Sequence, residues 1–494
     1  MIDGQIRKLA VALLLLFLVL FAQVNYVQVF AADELADNPA NAKRQLIAEY
    51  AIDRGSIVAS DGRTVIATSR KSPGELKYER RYPQGPLYGS VTGFYSFVYG
   101  KTGLENAYDE YLTGDAAELL PQTLADQILG RPKRGGTVVS TIDPDVQEAA
   151  ADALGSQPGA VVAIDPTTGY VRALFANPTY DPNELSSQDE ETVRDAWKRL
   201  NADPDKPLVS RAVAELFPPG STFKVVTASA ALENRFGPDS TWPNPHELDL
   251  PQTTATIENF GGTTCPGGSQ ITLLQALTVS CNVVFGEIGL RLGPDRLAEQ
   301  AHAFGFGPEI STDAIPFDIA FQEGYFPEAS YFADREPAVA ISAIGQDQVA
   351  ANPMQMALVV SAVANRGVQM RPRLVQEIRD QNGQVVRTFQ PDEWGRPISA
   401  QSASQLTGMM VNVVENGTGQ AADLGDIQVA GKTGTAQHGE GEDPHAWFVC
   451  FAPADNPQIA VAVVVLNGGN LGSDATGGEV AAPIARAVLE AALR

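Results

Sequence analysis

The chain has 494 residues, 44% of them hydrophobic and 19% charged, which is enough apolar material for more than one core. Its 59 acidic and 35 basic side chains give a formal charge of −24, and so exclude a nucleic-acid surface built on basic patches. No internal repeat, long low-complexity tract or glycine-rich phosphate loop is present.

At the N-terminus, Arg7-Lys8 precede an apolar run from Leu9 to Ala22 that continues, with Gln23, Asn25 and Gln28 interspersed, to Phe30. Residues 1–8 are read as a cytoplasmic end and 9–30 as an uncleaved transmembrane signal anchor. Basic residues before the run and Asp33, Glu34 and Asp37 after it orient the remainder outward, in a single pass with the N-terminus inside. The competing reading is a cleaved signal peptide, because the strictly apolar part is short for a span and Val29-Phe-Ala31 loosely resembles a cleavage site. Polar Gln23, Asn25 and Gln28 are assigned to the interface rather than to a helix partner.

Residues 31–140 mix short strand-like runs with glycine turns and form a smaller module. The polar Arg131-Pro-Lys-Arg-Gly-Gly136 marks its closing linker. From 141 to 494 the pattern changes. A helix is predicted at Asp145–Leu154, and strands at Ala160–Ile164, Val171–Phe175, Gln428–Thr435, Ala446–Phe451 and Ile459–Val465. The last segment, Val480–Leu493, is helical. Such an order fits an α+β domain with helices packed on a mostly antiparallel sheet.

Three clusters in this second region carry chemistry. Ser221-Thr-Phe-Lys224 follows Pro218-Pro219-Gly220 and opens a helix, so Ser221 and Lys224 project from one face and can share a proton. A serine needs such a base, and lysine serves when burial and a neighbouring cation such as Lys432 favour its neutral form. The helix N-terminus would offer backbone N–H groups to an oxyanion. Ser280-Cys-Asn282 interrupts the apolar Leu273–Leu290, predicted as one buried helix, where its polar groups need partners. Lys432-Thr-Gly-Thr435 lies in a strand of small residues that would run along an extended peptide. Lys432, Thr433, Gly434 and Thr435 there offer a cation and two hydroxyls to a carboxylate, and the Thr435 N–H would complete an oxyanion hole.

Each cluster alone is weak, and a second Lys-Thr-Gly at Lys101–Gly103 shows why; a surface N-cap serine beside an exposed lysine is the bland alternative for Ser221. The order of the three is what carries weight. Cys265 and Cys281 are compatible with a disulfide or with two buried thiols, while Cys450 is expected unpaired in a buried strand. His438, Glu440, Asp443 and His445 fall in a glycine-rich acidic turn and are read as a solvated loop, not a metal site. Phe317, Phe321, Tyr325, Phe326, Tyr331 and Phe332 are read as core packing rather than a cleft rim or lipid contact.

The three clusters resemble the S-x-x-K, S-x-N and K-T-G-T motifs of penicillin-binding proteins. Thr141–Gln147, Gly159–Gly169, Tyr180–Asn183, Ile344–Gln346, Asn352–Met356 and His445–Phe448 resemble other parts of the same transpeptidase domain. Asp53–Ile57, Asp61-Gly62, Gly103–Glu105 and Tyr108 resemble the non-catalytic module of class B members. Length and ending look most like the actinobacterial penicillin-binding protein A type. Ser60-Asp61-Gly62 departs from the usual Arg-Asn-Gly, and Cys450 stands where glycine is common. The resemblance implies a penicilloyl-serine transferase fold and a D,D-transpeptidase that cross-links peptidoglycan stem peptides through an acyl-Ser221. Lys224 would be its base, Ser280 the relay and Asn282 the peptide contact. It also implies acylation by β-lactams, no cofactor and no metal, and a SEDS-type glycosyltransferase as partner. No glutamate-rich glycosyltransferase signature precedes the domain. A β-lactam sensor or scaffold, a D,D-carboxypeptidase and a β-lactamase of the same superfamily are the alternatives. The lactamase is disfavoured by Asn282 and by the lack of a Glu-x-x-Leu-Asn string after Ser280.

Overall fold

The computed structural model describes residues 2–29, 42–74, 76–309, 315–439 and 441–494. Phe30, Ala31, Asp33, Glu34, Asp37 and Glu440 lie outside them. Helix α1 (Ile2–Val29) includes a predominantly apolar stretch, Gly4–Val27, with none of its most apolar window buried. At about 1.5 Å per residue it is long enough to cross about 30 Å of hydrocarbon. Asn25 extends the run instead of ending it, because its amide donates back to the Phe21 carbonyl at 2.7 Å.

Two sheets follow. Strands β1 (Ile57–Val58), β2 (Val65–Lys71), β3 (Tyr78–Arg81) and β4 (Thr137–Ser140) belong to the first. Helix α2 (Pro144–Leu154) starts on Asp143, whose carboxylate accepts from the Asp145 and Val146 N–H groups. Then come β5 (Gly159–Ile164), β6 (Val171–Asn177), α3 (Lys224–Glu233), α4 (Leu273–Thr278), α5 (Asn282–Leu292) and α6 (Pro353–Ala364). Strands β7 (Val375–Arg379) and β8 (Val385–Thr388), helix α7 (Ala400–Asn416), strands β9 (Ala430–Ala436), β10 (His445–Ala452) and β11 (Ile459–Val465), and helix α8 (Ala482–Ala492) complete the set used below.

The second sheet has the order β9-β10-β11-β5-β6 and is antiparallel throughout. Its central strands are apolar on both faces because both faces are covered. Ala160, Val162, Ala462 and Val464 share a core with Met356 and Val360 of α6. The alternate residues Val161, Ala163, Val461 and Val463 pack with Val146 of α2 and Ile484 and Val488 of α8. These strands and both helices begin and end within a few residues of their predicted bounds.

The first sheet departs from expectation. Its order is β8-β7-β4-β1-β2-β3, so a hairpin from far downstream pairs with β4, in the register Val375↔Ser140 to Arg379↔Thr137. The segment read as a linker is not slack either. Gly135 donates to Asp53 O at 2.9 Å and Gly136 to Tyr111 O at 2.8 Å. A Cβ on Gly135 would lie 1.8 Å from the Leu112 carbonyl. Those glycines exist for backbone contact, not for flexibility.

Inside this module Glu105 is fully buried and bound by Arg54 Nε at 2.7 Å and Arg80 Nε at 2.6 Å. The module meets the second region where Tyr108 donates to Asp318 at 2.9 Å, and Asp318 also accepts from the Leu374 N–H.

Candidate active site

Ser221 lies on a single 3₁₀ turn, Gly220–Phe223, that leads directly into α3. The turn is pressed against β9. Gly220 has φ +52°, and a Cβ there would stand 2.8 Å from Thr435 O, so only glycine fits. Trp447 Nε1 donates to Pro218 O at 3.0 Å, and the Phe223 ring stacks on Phe326 with centroids 5.6 Å apart. Phe321, Phe326 and Phe332 are buried core residues, as read from the sequence.

The helix expected from Leu273 to Leu290 is broken. Helix α4 ends at Thr278, α5 begins at Asn282, and between them Ser280 adopts φ +58°. This left-handed conformation costs a non-glycine residue about 1 kcal/mol. It turns the Ser280 carbonyl and hydroxyl toward Lys224 instead of up a helix ladder. A disulfide joins Cys281 to Cys265 and anchors the turn to the preceding loop.

Lys224 is completely buried and reaches across to this turn. Its Nζ donates to Ser280 O and Asn282 Oδ1, each at 2.7 Å, with Ser280 Oγ at 3.3 Å. Lys432, also buried, donates to the same Ser280 Oγ and to Thr433 O, both at 2.8 Å. Ser280 Oγ is therefore the shared atom between two amines. Burial holds Lys224 well below its ordinary pKa, and the charge of Lys432 adds to the effect. Burial alone brings Lys432 down to about 7.

Not every predicted contact is made. Among the described residues Ser221 Oγ has no hydrogen-bond partner; Lys224 spends its N–H groups on the Ser280 turn, the stronger acceptors. Asn282 uses its amide oxygen on Lys224 and one N–H on Glu258 O at 3.0 Å, which leaves a second N–H for a ligand. Glu258 carried no sequence signal, because its contact is made by the main chain.

Strand β9 is an edge strand, and edges present unpaired backbone groups. Gly434 faces the Ser221 turn, since a Cβ would come within 2.9 Å of Thr222. The Thr433 hydroxyl lies 2.6 Å from that of Thr418. Thr435 remains partly exposed. Thr418 was not among the predicted residues, and its only sequence trace is the turn-like Gly417-Thr-Gly419.

The histidines form no shared metal site among the described residues. His445 is buried in β10, stacked on His438 with centroids 3.8 Å apart, and accepts from the Asn467 N–H at 3.2 Å. Its pKa is pushed down to about 3 by burial and by His438. Cys450 is an unpaired, buried thiol in the same strand.

The penicillin-binding protein transpeptidase domain model matches residues 159–490, and the penicillin-binding protein A dimerisation domain model matches residues 54–138. Peptidoglycan D,D-transpeptidase PbpA of Mycolicibacterium smegmatis is 43% identical over 100% of this chain and 99% of its own length. PbpA of Mycobacterium tuberculosis is 39% identical over the same shares, 100% and 99%. A solved ceftriaxone acyl-enzyme complex of penicillin-binding protein A from M. tuberculosis superposes with a TM-score of 0.85 at 40% identity, covering 91% of this chain and 100% of that one. The helices, mixed sheets and N-terminal module described above are shared along nearly the full length, and this chain belongs to the class B penicillin-binding proteins.

Proposed function

We propose that this chain is a monofunctional peptidoglycan D,D-transpeptidase with Ser221 as nucleophile. Ser221 Oγ attacks the carbonyl of the penultimate D-Ala of a donor stem. Its proton passes to Lys224, the C–N bond to the terminal D-Ala breaks, and Ser280 Oγ relays a proton to the leaving amine. An acceptor amine from a neighbouring stem then attacks the ester, restores the serine hydroxyl and leaves the cross-link. Asn282 offers its remaining N–H to the donor backbone. Lys432, Thr433 and Thr435 hold the terminal carboxylate, and Gly434 lets the Ser221 turn approach the strand. A β-lactam, as a strained amide carried in the same pose, acylates Ser221.

The observation that carries this reading is the buried junction at Ser280 Oγ, within 3.3 Å of Lys224 and 2.8 Å of Lys432, together with a Ser221 hydroxyl that has no competing partner among the described residues. An isolated surface S-x-x-K would have no reason to bury two lysines on one hydroxyl. We further assign residues 31–140 to a non-catalytic module and 141–494 to the transpeptidase domain, with β7 and β8 of the latter completing the former's sheet. Helix α1 anchors the chain with its N-terminus inside, and a SEDS-type glycosyltransferase supplies the glycan strands. The domain matches support the two-part division of the chain, the PbpA relatives support the reaction, and the ceftriaxone acyl-enzyme complex of the solved neighbour supports β-lactam acylation.

The test is intact mass of the full chain, in detergent, after incubation with benzylpenicillin. A stable adduct that maps to Ser221 and is lost in Ser221→Ala and Lys224→Ala is expected. Rapid turnover with no adduct would assign a β-lactamase instead, and no reaction at all would leave a scaffold.

A further inference from the structure

The contact between Lys432 Nζ and Ser280 Oγ, 2.8 Å long, joins two elements that approach from different sides: the turn after α4 and the edge strand β9. Each is held from its own side, the turn by the Cys265–Cys281 disulfide and β9 by its pairing with β10. Ser280 holds a left-handed backbone, and among the described residues β9 has no neighbouring strand on its outer side. Something else has to fix their separation, because an error of about 1 Å between catalytic groups costs on the order of 10²-fold in rate.

We propose that Thr418 is a positioning residue that ties the Ser280 turn to the Lys432 strand and so keeps Ser280 Oγ between the two lysines. Two of its polar groups, the N–H and the hydroxyl, reach one element each. The Thr418 N–H donates to Thr278 O at 3.3 Å, two residues before Ser280. Its hydroxyl lies 2.6 Å from the hydroxyl of Thr433, one residue after Lys432. The tie thus runs parallel to the Lys432–Ser280 contact, one step out from it.

The surroundings hold Thr418 in register. Asn412 Nδ2, on α7, donates to Thr278 Oγ1 at 2.6 Å. Gly417 sits so close to α4 that a Cβ would be 2.2 Å from Thr278 O, and a Cβ on Gly478 would be 2.4 Å from Thr418 O. Gly419 N–H returns to Val413 O at 3.0 Å and closes the turn. Thr418 itself is exposed, so losing its hydroxyl empties no core. Thr433 is nearly buried, and its hydroxyl is accordingly the one that gains most from a partner.

This inference rests on the transpeptidase reading, and its test separates the two. The full chain in detergent is reacted with benzylpenicillin in stopped flow, as wild type, Thr418→Val and Thr418→Ser, to obtain the acylation rate constant, the affinity of the initial complex, the acylatable fraction and Tm. Thr418→Val is expected to lower the acylation rate constant roughly tenfold or more, with the acylatable fraction and Tm held, and Thr418→Ser to restore it. A wild-type rate in Thr418→Val overturns the proposal. So does a reduced acylatable fraction or Tm with an unchanged rate constant in the remainder, which would mark a purely structural residue, or weaker initial binding alone, which would mark a ligand contact. Failure of the wild-type protein to form an adduct at Ser221 would instead overturn the reading beneath it.

Discussion

At the scale of single residues the site is an exercise in withholding water from two lysines. Lys432 keeps a pKa near about 7 only because the fold surrounds it, whereas in the unfolded chain it titrates near 10.4, as lysine does. Between those values the unfolded state binds a proton that the folded state has released, so stability rises with pH across the window from about 7 to about 10. The cost at pH 7 is on the order of 4 kcal/mol by the usual conversion, more than the roughly 1 kcal/mol that each of its two hydrogen bonds contributes. Lys432→Met is therefore expected to abolish acylation and yet raise Tm by a few degrees at pH 7, with the gain shrinking toward pH 10. A series of thermal melts checks this, and a lower Tm than wild type at pH 7 would refute it. The meeting of Lys224, Lys432, Ser280 and Asn282 was legible in the sequence from the order of the three clusters. What stayed hidden was which partner Lys224 would choose, a matter of competition between acceptors that residue spacing does not encode.

At the scale of elements, the strands of the second sheet were easy to read. Runs such as Ile459–Val465 and Ala446–Phe451 are short, β-rich and unbroken, as strands buried on both faces must be. Helix α4 and helix α5 were read as one, since Thr278-Val-Ser-Cys281 contains neither proline nor glycine to announce a break. The break is imposed by tertiary partners: the buried amine of Lys224 and the bridge from Cys281 to Cys265. The Ser221 turn is set in the same way, by contact with β9. Gly220→Ala adds a Cβ at 2.8 Å from Thr435 O on a residue with φ +52°. Both strain and displacement follow, and the variant should lose at least tenfold in acylation rate and about 1–2 kcal/mol of stability. Stopped-flow acylation combined with urea unfolding measures the two together; an alanine variant with wild-type kinetics would show that the turn has room to shift.

At the scale of the whole molecule, the two regions are braided rather than strung in line. The sequence shows that a smaller module precedes the catalytic one, but strand partners hundreds of residues apart leave no local signal, so the β7–β8 hairpin could not be placed from sequence. The module's own centre is a carboxylate with two guanidinium partners. Burial raises the Glu105 pKa, but Arg80 and Arg54 outweigh it and hold the group below its ordinary value. The stabilisation is present above the unfolded carboxylate range near pH 4 and is lost as pH falls through the folded value. Glu105→Ala leaves buried Arg80 with no carboxylate partner and Arg54 with Asp109 alone, and should cost about 3–5 kcal/mol, while β-lactam acylation by the folded fraction keeps its wild-type rate constant. Denaturant titration alongside acylation kinetics decides it, and an unchanged midpoint would remove Glu105 from the stability account. The braiding also sets a timetable for synthesis. Strand β4 ends beside Thr141, whose hydroxyl meets the Arg373 carbonyl 232 residues later. A chain made from its N-terminus at about 5–20 residues per second therefore carries a half-built sheet, with one edge open to wrong partners, for roughly ten seconds or more before the strand that closes it has been translated.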